Sequence, residues 1–419
     1  MPPRLRSSCV AAALVVVSGV LSAQPQSQPA TPVATLPAWQ PGMLDIHQIS
    51  TGRGNANFTV MPDGTTLLFD AGAAGDGVPF TDVRPNATKS PGAWIVDYIR
   101  HFHPSGARAS LDYALISHFH ADHMGQPLPT SPDSGHGYKL FGITEVGEAL
   151  GIGTMIDRAW PTYDYPTAIP GAWMADYRAF VAQQQKARGM VTARIAVGRK
   201  DQIVLRRQAS MYPTFEVRGV SGSGDIWSGQ GDGTRRIFPP LDGLEPGDYP
   251  TENMSSLGIR MAYGAFDYFT GGDIPGIPDD GFPAWHSVET PLAQVLGEVD
   301  AHVVNHHGSI SPASAAWLGT LQSQVIVLPS WSPTHPSQDV LKRMLNTRIY
   351  PGARDIFATY VSEPTKVSIG ARAAQFKADH GHIVIRVDPG GSTFRVFVLD
   401  DLSPARPVVA TFGPYRSTP

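Results

Sequence analysis

Ser117-His118-Phe119-His120-Ala121-Asp122-His123 follows directly on an apolar run, residues 111–116. The run reads as a buried strand. Three imidazoles and a carboxylate are therefore crowded into one turn at a strand's end. On an extended stretch His118 and His120 point the same way. Asp122 and His123 follow on the turn and can face a second ion beside the first. Neutral imidazole and ionised carboxylate suit zinc and other borderline divalent ions. A polar surface turn rich in His is the competing reading. It does not account for four ligand-type side chains placed at this spacing after a strand.

Three more segments have the same form, an apolar strand ending in a ligand-type side chain. They are Thr65-Thr66-Leu67-Leu68-Phe69-Asp70-Ala71-Gly72, Tyr268-Phe269-Thr270-Gly271-Gly272-Asp273 and Val303-Val304-Asn305-His306-His307-Gly308-Ser309. In this order, and with the H-x-H-x-D-H pattern, the chain resembles the metallo-β-lactamase superfamily of hydrolases. Further stretches are similar to the metallo-β-lactamase-like domain of the competence DNA-uptake channel proteins. These are Gly52-Arg53-Gly54-Asn55-Ala56 ahead of the Pro62-Asp63-Gly64 turn, Glu252-Asn253-Met254-Ser255-Ser256-Leu257, and Thr334-His335-Pro336-Ser337. The resemblance covers residues 43–400.

The resemblance implies an α/β (α+β) fold, a four-layer αββα sandwich, and a metal-dependent hydrolase with two divalent ions, zinc or alternatively manganese. It places His118 and His120 on site 1, Asp122, His123 and His307 on site 2, and Asp273 between them. Asp122 would also orient the attacking water. Asp70 would sit beneath the ions and orient their ligands. Asn253 and Ser255 would stand in the surrounding shell, and His335 near the pocket. His307 is preferred over His306 because side chains alternate at a strand end and His307-Gly308-Ser309 matches the family's ending. His306 is then left to hydrogen-bond the substrate, to support a ligand, or simply to pack.

Two features depart from the family pattern. Gly271-Gly272 stand where Thr-Gly is common. Between His123 and Asp273 the chain offers one other histidine before the second half, His136, in a Gly/Pro/Ser loop. Site 1 is therefore expected to be completed by water, Asn253 or a substrate oxygen.

Composition bounds the rest. The 419 residues include 43 Gly and 38 Pro, with 42% hydrophobic residues and a formal charge of −4. This is a loop-rich globular composition. No basic block is present, so an electrostatic nucleic-acid footprint is absent. Residues 1–23 read as a secretory signal, with Arg4 and Arg6 ahead of an uncharged Val/Ala/Leu run and Leu21-Ser22-Ala23 before Gln24. An uncleaved anchor is the alternative. Losing the two arginines would take the charge to about −6. The single cysteine, Cys9, lies in this signal, so a processed chain has no disulfide, no Cys ligand and no membrane span.

Residues 24–42 read as a disordered leader, 43–405 as the domain that resembles the metallo-β-lactamase superfamily and 406–419 as a tail. Strands are expected at 44–49, 57–61 and 65–69 and a helix at 93–101. Residues 124–190 read as an insert whose aromatic loop, 157–166, either walls the pocket or packs on the core, followed by a helix at 172–188. Residues 219–233 read as a Gly-rich loop. The second half repeats strands and helices and closes with a hairpin around Asp388-Pro389-Gly390-Gly391.

Three functional classes follow: a secreted or periplasmic hydrolase of phosphodiesters; a hydrolase of lactones, β-lactams or other esters and amides; and a binding protein that keeps the fold without catalysis. The complete first motif argues against the third. N-terminal sequencing of protein from its native host is expected to begin near Gln24. An intact residue 1 to 23 segment on a cytoplasmic protein would refute export.

Overall fold

A computed structural model describes residues 35–418; the expected signal and most of the leader lie outside them. The chain first lays down β1 (Leu44–Gln48), β2 (Asn57–Val60), β3 (Thr66–Phe69), β4 (Leu111–Leu115), β5 (Ile152–Asp157) and β6 (Val191–Arg194). It then builds a second sheet from β7 (Phe215–Gly222), β8 (Asp225–Trp227), β9 (Thr234–Arg236), β10 (Gly258–Tyr263), β11 (Phe266–Gly271), β12 (Ala301–Val303), β13 (Val325–Leu328), β14 (Asp355–Ala358) and β15 (Phe376–Ala378). Finally β16 (His382–Val387), β17 (Thr393–Leu399) and β18 (Val408–Arg416) return to the first sheet. Its order is β18-β17-β16-β1-β2-β3-β4-β5-β6; the second runs β15-β14-β13-β12-β11-β10-β7-β8-β9.

Period-2 alternation assigns the layers. In β3, Leu67 and Phe69 join the core between the sheets while Leu68 joins the outer one. Tyr113 and Leu115 of β4 face inward, and Ala114 faces outward. Both faces of these strands are buried, which is why they read as continuous apolar runs. The outer face of the first sheet is covered by α1 (Pro91–Phe102), α3 (Gly142–Leu150) and α4 (Ala172–Arg188), with the one-turn α2 (Ala121–Met124) carrying the motif. The outer face of the second is covered by α5 (Glu289–Leu296), α6 (Ala315–Leu321), α7 (Gln338–Met344) and α8 (Glu363–Ile369). The result is the expected four-layer αββα sandwich. Serine hydroxyls open four of these helices: Ser90, Ser314, Ser337 and Ser362 each accept a backbone N–H three residues on. Gly189, in the left-handed region, closes α4. A buried bidentate pair, Arg386 to Asp45 at 2.7 and 2.6 Å, locks β16 to β1.

Several boundaries differ from the sequence reading. The 124–190 segment is not an insert on the core, because β5 within it pairs in parallel with β4 and α3 packs on α1. Its aromatic loop packs inward: Tyr163 and Tyr177 both donate to the buried Asp157 carboxylate. The Gly-rich 219–233 stretch is mostly a β7–β8 hairpin, since Gly224, at φ +86°, makes the tight turn. β14 and α8 have weak sequence signals because the stretch around them is short and broken by Gly and Pro. Leader residues Leu36 and Trp39 dock on the domain, and Arg386 donates to the Pro37 carbonyl.

The 406–419 tail is likewise ordered structure over its described residues. Phe412 of β18 packs at 5.1 Å on Phe357, closing the inter-sheet core. Among the described residues no helix is long and apolar enough to cross a membrane. A chain stopped at Ala405 should lose the burial of Val408 and Phe412, about 3–6 kcal/mol together. Its melting temperature should fall by at least about 5 °C. An unchanged thermal transition would show that β18 is dispensable.

Candidate metal centre

Parallel strands β3 and β4 of one sheet and β11 and β12 of the other end along a single edge, where their following residues converge. Asp70 leaves β3 with φ 65°, a left-handed conformation costly for a non-glycine residue. Its carboxylate is fully buried. It accepts the Ser117 backbone N–H at 2.7 Å, the Ser117 hydroxyl at 2.8 Å, the Asn55 amide at 2.9 Å and His123 Nδ1 at 2.7 Å. The loops around it meet through backbone. The Asn55 N–H donates to the Asp122 carbonyl at 2.7 Å. A Cβ on Gly54 or Gly72 would stand only 2.2 or 2.1 Å from that carbonyl.

With its Nδ1–H committed to Asp70, His123 turns a bare Nε2 inward. His307 does the same: Nδ1 donates to the Pro329 carbonyl at 2.9 Å. The two Nε2 atoms face each other at 3.0 Å. Asp122 Oδ2 lies 3.1 Å from His307 Nε2, and Asp273 Oδ1 lies 3.0 Å from His123 Nε2. Lone pairs and carboxylates that converge this way repel unless a cation stands among them. Burial pushes the His123 imidazole toward the neutral form, but Asp273, Asp70 and Asp122 outweigh it and raise its pKa well above the ordinary value. Positive charge is thus favoured at this point. Asp273 Oδ1 is buried, and its polar neighbours are the Nε2 atoms of His123 and His307, at 3.0 and 3.4 Å, the surroundings a metal-ligating oxygen would have.

A second group adjoins the first. His118 Nε2 and His120 Nδ1 lie 3.0 Å apart, and Asp273 Oδ2 is 3.7 Å from His118 Nε2. The ligand-type atoms of Asp122, His123, Asp273 and His307 lie within 4.8 Å of one another, as do those of His118, His120 and Asp273. Asp273 belongs to both sets. The cluster fits two divalent ions sharing that carboxylate.

Gly272 makes the meeting of the two sheets possible. A Cβ there would be 2.6 Å from the Ser117 hydroxyl. The Leu257 N–H donates to the Ser117 carbonyl, and the Gly272 N–H to that of Leu257. The departure from Thr-Gly is therefore a close strand-end contact. Ser256, rather than Ser255, serves Asp273: its hydroxyl accepts the Asp273 N–H at 3.0 Å. Ser255 donates to the Thr251 carbonyl and does not reach the cluster.

His306 and His307 are separated by something other than strand alternation. β12 stops at Val303, and both histidines are left-handed, at φ 46° and 53°. His307 points into the cluster. His306 remains on the open side, with Nε2 3.7 Å from Asp273 Oδ2 and 3.4 Å from the Asn253 amide. His335 stacks on His307 at 5.0 Å, and its Nδ1 is buried without a partner. Burial and neighbouring His307 push its pKa down to about 3, so it is neutral. His136 is on an exposed loop, away from the cluster.

Two supports went unassigned in the sequence. Glu252 accepts the Phe119 N–H at 2.8 Å and pairs with the buried Arg158, giving the motif a second anchor besides Asp70. Buried Glu289 accepts the Asn305 amide and the N–H groups of Ala313 and Ser314, holding the turn that presents His307. Glu252 stands in one of the stretches quoted above. Neither has a local signature, because each acts over a long sequence separation.

No protein-family model matches the chain, and no curated protein matches it. Among solved structures, it is similar to CmlA, a diiron β-hydroxylase from Streptomyces venezuelae, at 13% identity and a TM-score of 0.36 over 82% of this chain. It spans only about half of CmlA, 54%. It is similar to Zn²⁺-bound PqqB from Methylobacterium extorquens at 14% identity and TM-score 0.36, covering 82% of this chain and 99% of PqqB. Human tRNase Z, short form, matches at 12% identity and TM-score 0.30, covering 82% of this chain and 98% of tRNase Z. Likeness at this level assigns no activity or substrate.

Asp273→Ala should be the most damaging single change, because it removes a carboxylate common to both sets. Elemental analysis should fall from about two divalent ions per chain to less than one. His307→Ala should lose metal, whereas His306→Ala should retain it. The reverse pattern for the two histidines would exchange their roles.

Proposed function

We propose that this chain is a secreted, metal-dependent hydrolase acting on a phosphodiester. The observation that carries the reading is the Asp273 carboxylate shared by two adjoining ligand sets. His118, His120 and Asp273 would hold one ion; Asp122, His123, His307 and Asp273 would hold the other, with zinc favoured and manganese as the alternative. Such a pair lowers the pKa of water and stabilises charge on both the attacking and the leaving oxygen, which suits in-line displacement at phosphorus.

The chain's own groups set the geometry. Asp70 and Pro329 fix the ring orientation and tautomer of His123 and His307. Asp122, partly open to solvent, faces the space where water would enter. His306 and Asn253 lie together on the open side and would hydrogen-bond a substrate oxygen. His335 backs His307 by stacking. The first set has only two imidazoles beside the shared carboxylate, which leaves room for an oxygen of the substrate. The likeness to the competence domain through Asn253 and the Asn305–Ser309 turn favours the diester. Export rests on the sequence of residues 1–23.

One observation favours a second reading, hydrolysis of a lactone or β-lactam. No lysine or arginine is among the residues lining the cleft beside His120 and His306. Measuring kcat/KM side by side on bis(4-nitrophenyl) phosphate, a lactone and a β-lactam separates the two. The diester should be cleaved, with activity lost on chelation and reduced at least about a hundredfold by His118→Ala. If the lactone or β-lactam is turned over at least about a hundredfold better, a difference of ~2.7 kcal/mol in barrier, the diester reading falls.

A further inference from the structure

The cleft that opens from His120 and His306 has a volume of about 370 Å³. Its inner end is polar, with Asn253 beside His306. Its lining also brings in Met254, Pro275, Ile277, Pro278 and Ile310, set among polar residues such as Thr251 and Ser311. Ile310 is 73% exposed and Ile277 43% exposed. Two exposed branched aliphatic side chains lining one cleft offer apolar area that a bound group can cover.

Charge points the same way. The carboxylates lining the cleft are Glu252 and Asp279. Glu252 is committed to Arg158 and the Phe119 N–H, and Arg158 is buried beneath it. Arg235 and Arg236 line a different cavity that shares only the Ile277–Pro278 wall. A second anionic group further along this cleft, away from the ion-holding cluster, would meet Asp279 with no lysine or arginine in the lining to pair it.

We propose that this cleft binds an uncharged, apolar flank of the substrate, an alkyl or aryl group attached directly to the reacting centre, and discriminates against nucleotides and other polyanions. The proposal rests on the hydrolase reading only in placing the reacting centre at the His/Asp cluster. Ile277 and Ile310 are then the specificity-determining side chains, since both reach the cleft and neither is needed for the core.

Binding calorimetry on metal-reconstituted protein tests it with two head groups, phosphonate and hydroxamate, each carrying a methyl or a hexyl chain. Within a series the hexyl compound should bind at least about tenfold tighter, even with only part of the chain buried. Adenosine 5′-monophosphate should bind no tighter than methylphosphonate. Ile277→Asp and Ile310→Asp should fold normally, because both side chains are exposed, and should abolish the chain-length preference. A preference seen with hydroxamates while phosphonates fail to bind would sink the diester reading and leave the apolar cleft standing. Affinity independent of chain length in both series, a preference that survives both substitutions, tight nucleotide binding, or no binding by either series would overturn the inference.

Discussion

Four hydrogen bonds onto one buried carboxylate hold this site together. Asp70 lies at the end of β3, has no contact with solvent, and satisfies donors from Asn55, Ser117 and His123. An ionised carboxylate in such a place is tolerable only when its oxygens are fully bonded. The same bonds fix where β4 ends and how the motif turns, and they select the His123 tautomer. Removing that carboxylate would leave the turn without an anchor and the imidazole free to rotate. The geometry of the cluster therefore depends on a residue that is in neither set of clustered ligand atoms.

The cluster itself is a frustrated arrangement without a cation. Two carboxylates and opposed imidazole nitrogens at 3.0 Å are held by a frame of sheet ends and buried acids. Protonating the imidazoles relieves part of the repulsion, which is what their surroundings favour for His123 and His307. Divalent ions relieve more of it, because each replaces a proton with a larger charge and satisfies several lone pairs at once. Metal binding and folding stability are then linked. The frame is rigid where it must be: Glu289 and Glu252, each buried or paired, hold the two turns that carry His307 and the H-x-H motif.

How much of this was legible in the sequence follows from which interactions are local. The motif, its strand, and the strand-ending Asp70, Asp273 and His307 all show themselves within a few residues, and those segments converge in space. The four-layer sandwich was implied by the family resemblance, with strands and interspersed helices read in both halves of the chain. Contacts between distant segments were not legible. Ser256 rather than Ser255 serves Asp273 because the short helical turn at Asn253–Ser255 rotates the pair, a matter of geometry rather than composition. The 124–190 segment looked like an insertion because α3 and β5 are Gly-rich at their boundaries, yet parallel pairing with β4 decides the matter. The last strand is masked in the sequence by Gly413-Pro414, whereas Phe412 just before it fills the inter-sheet core.

His306 and His307 show that strand alternation is not what separates two neighbouring side chains here. Alternation along a strand would place adjacent side chains on opposite faces, but the strand has already ended. Instead, two successive left-handed residues, closed by Gly308 at φ +74°, curl the turn so that one imidazole enters the cluster and the other stays at its mouth. Each such residue costs roughly 1–3 kcal/mol. Buried Glu289, through Asn305 and the start of α6, supplies the bonds that hold it. The strain therefore has a structural consequence: it sets one histidine against the carboxylates of the cluster and leaves its neighbour beside Asn253 at the entrance of a cleft. An ordinary strand ending could not have placed both on the same edge.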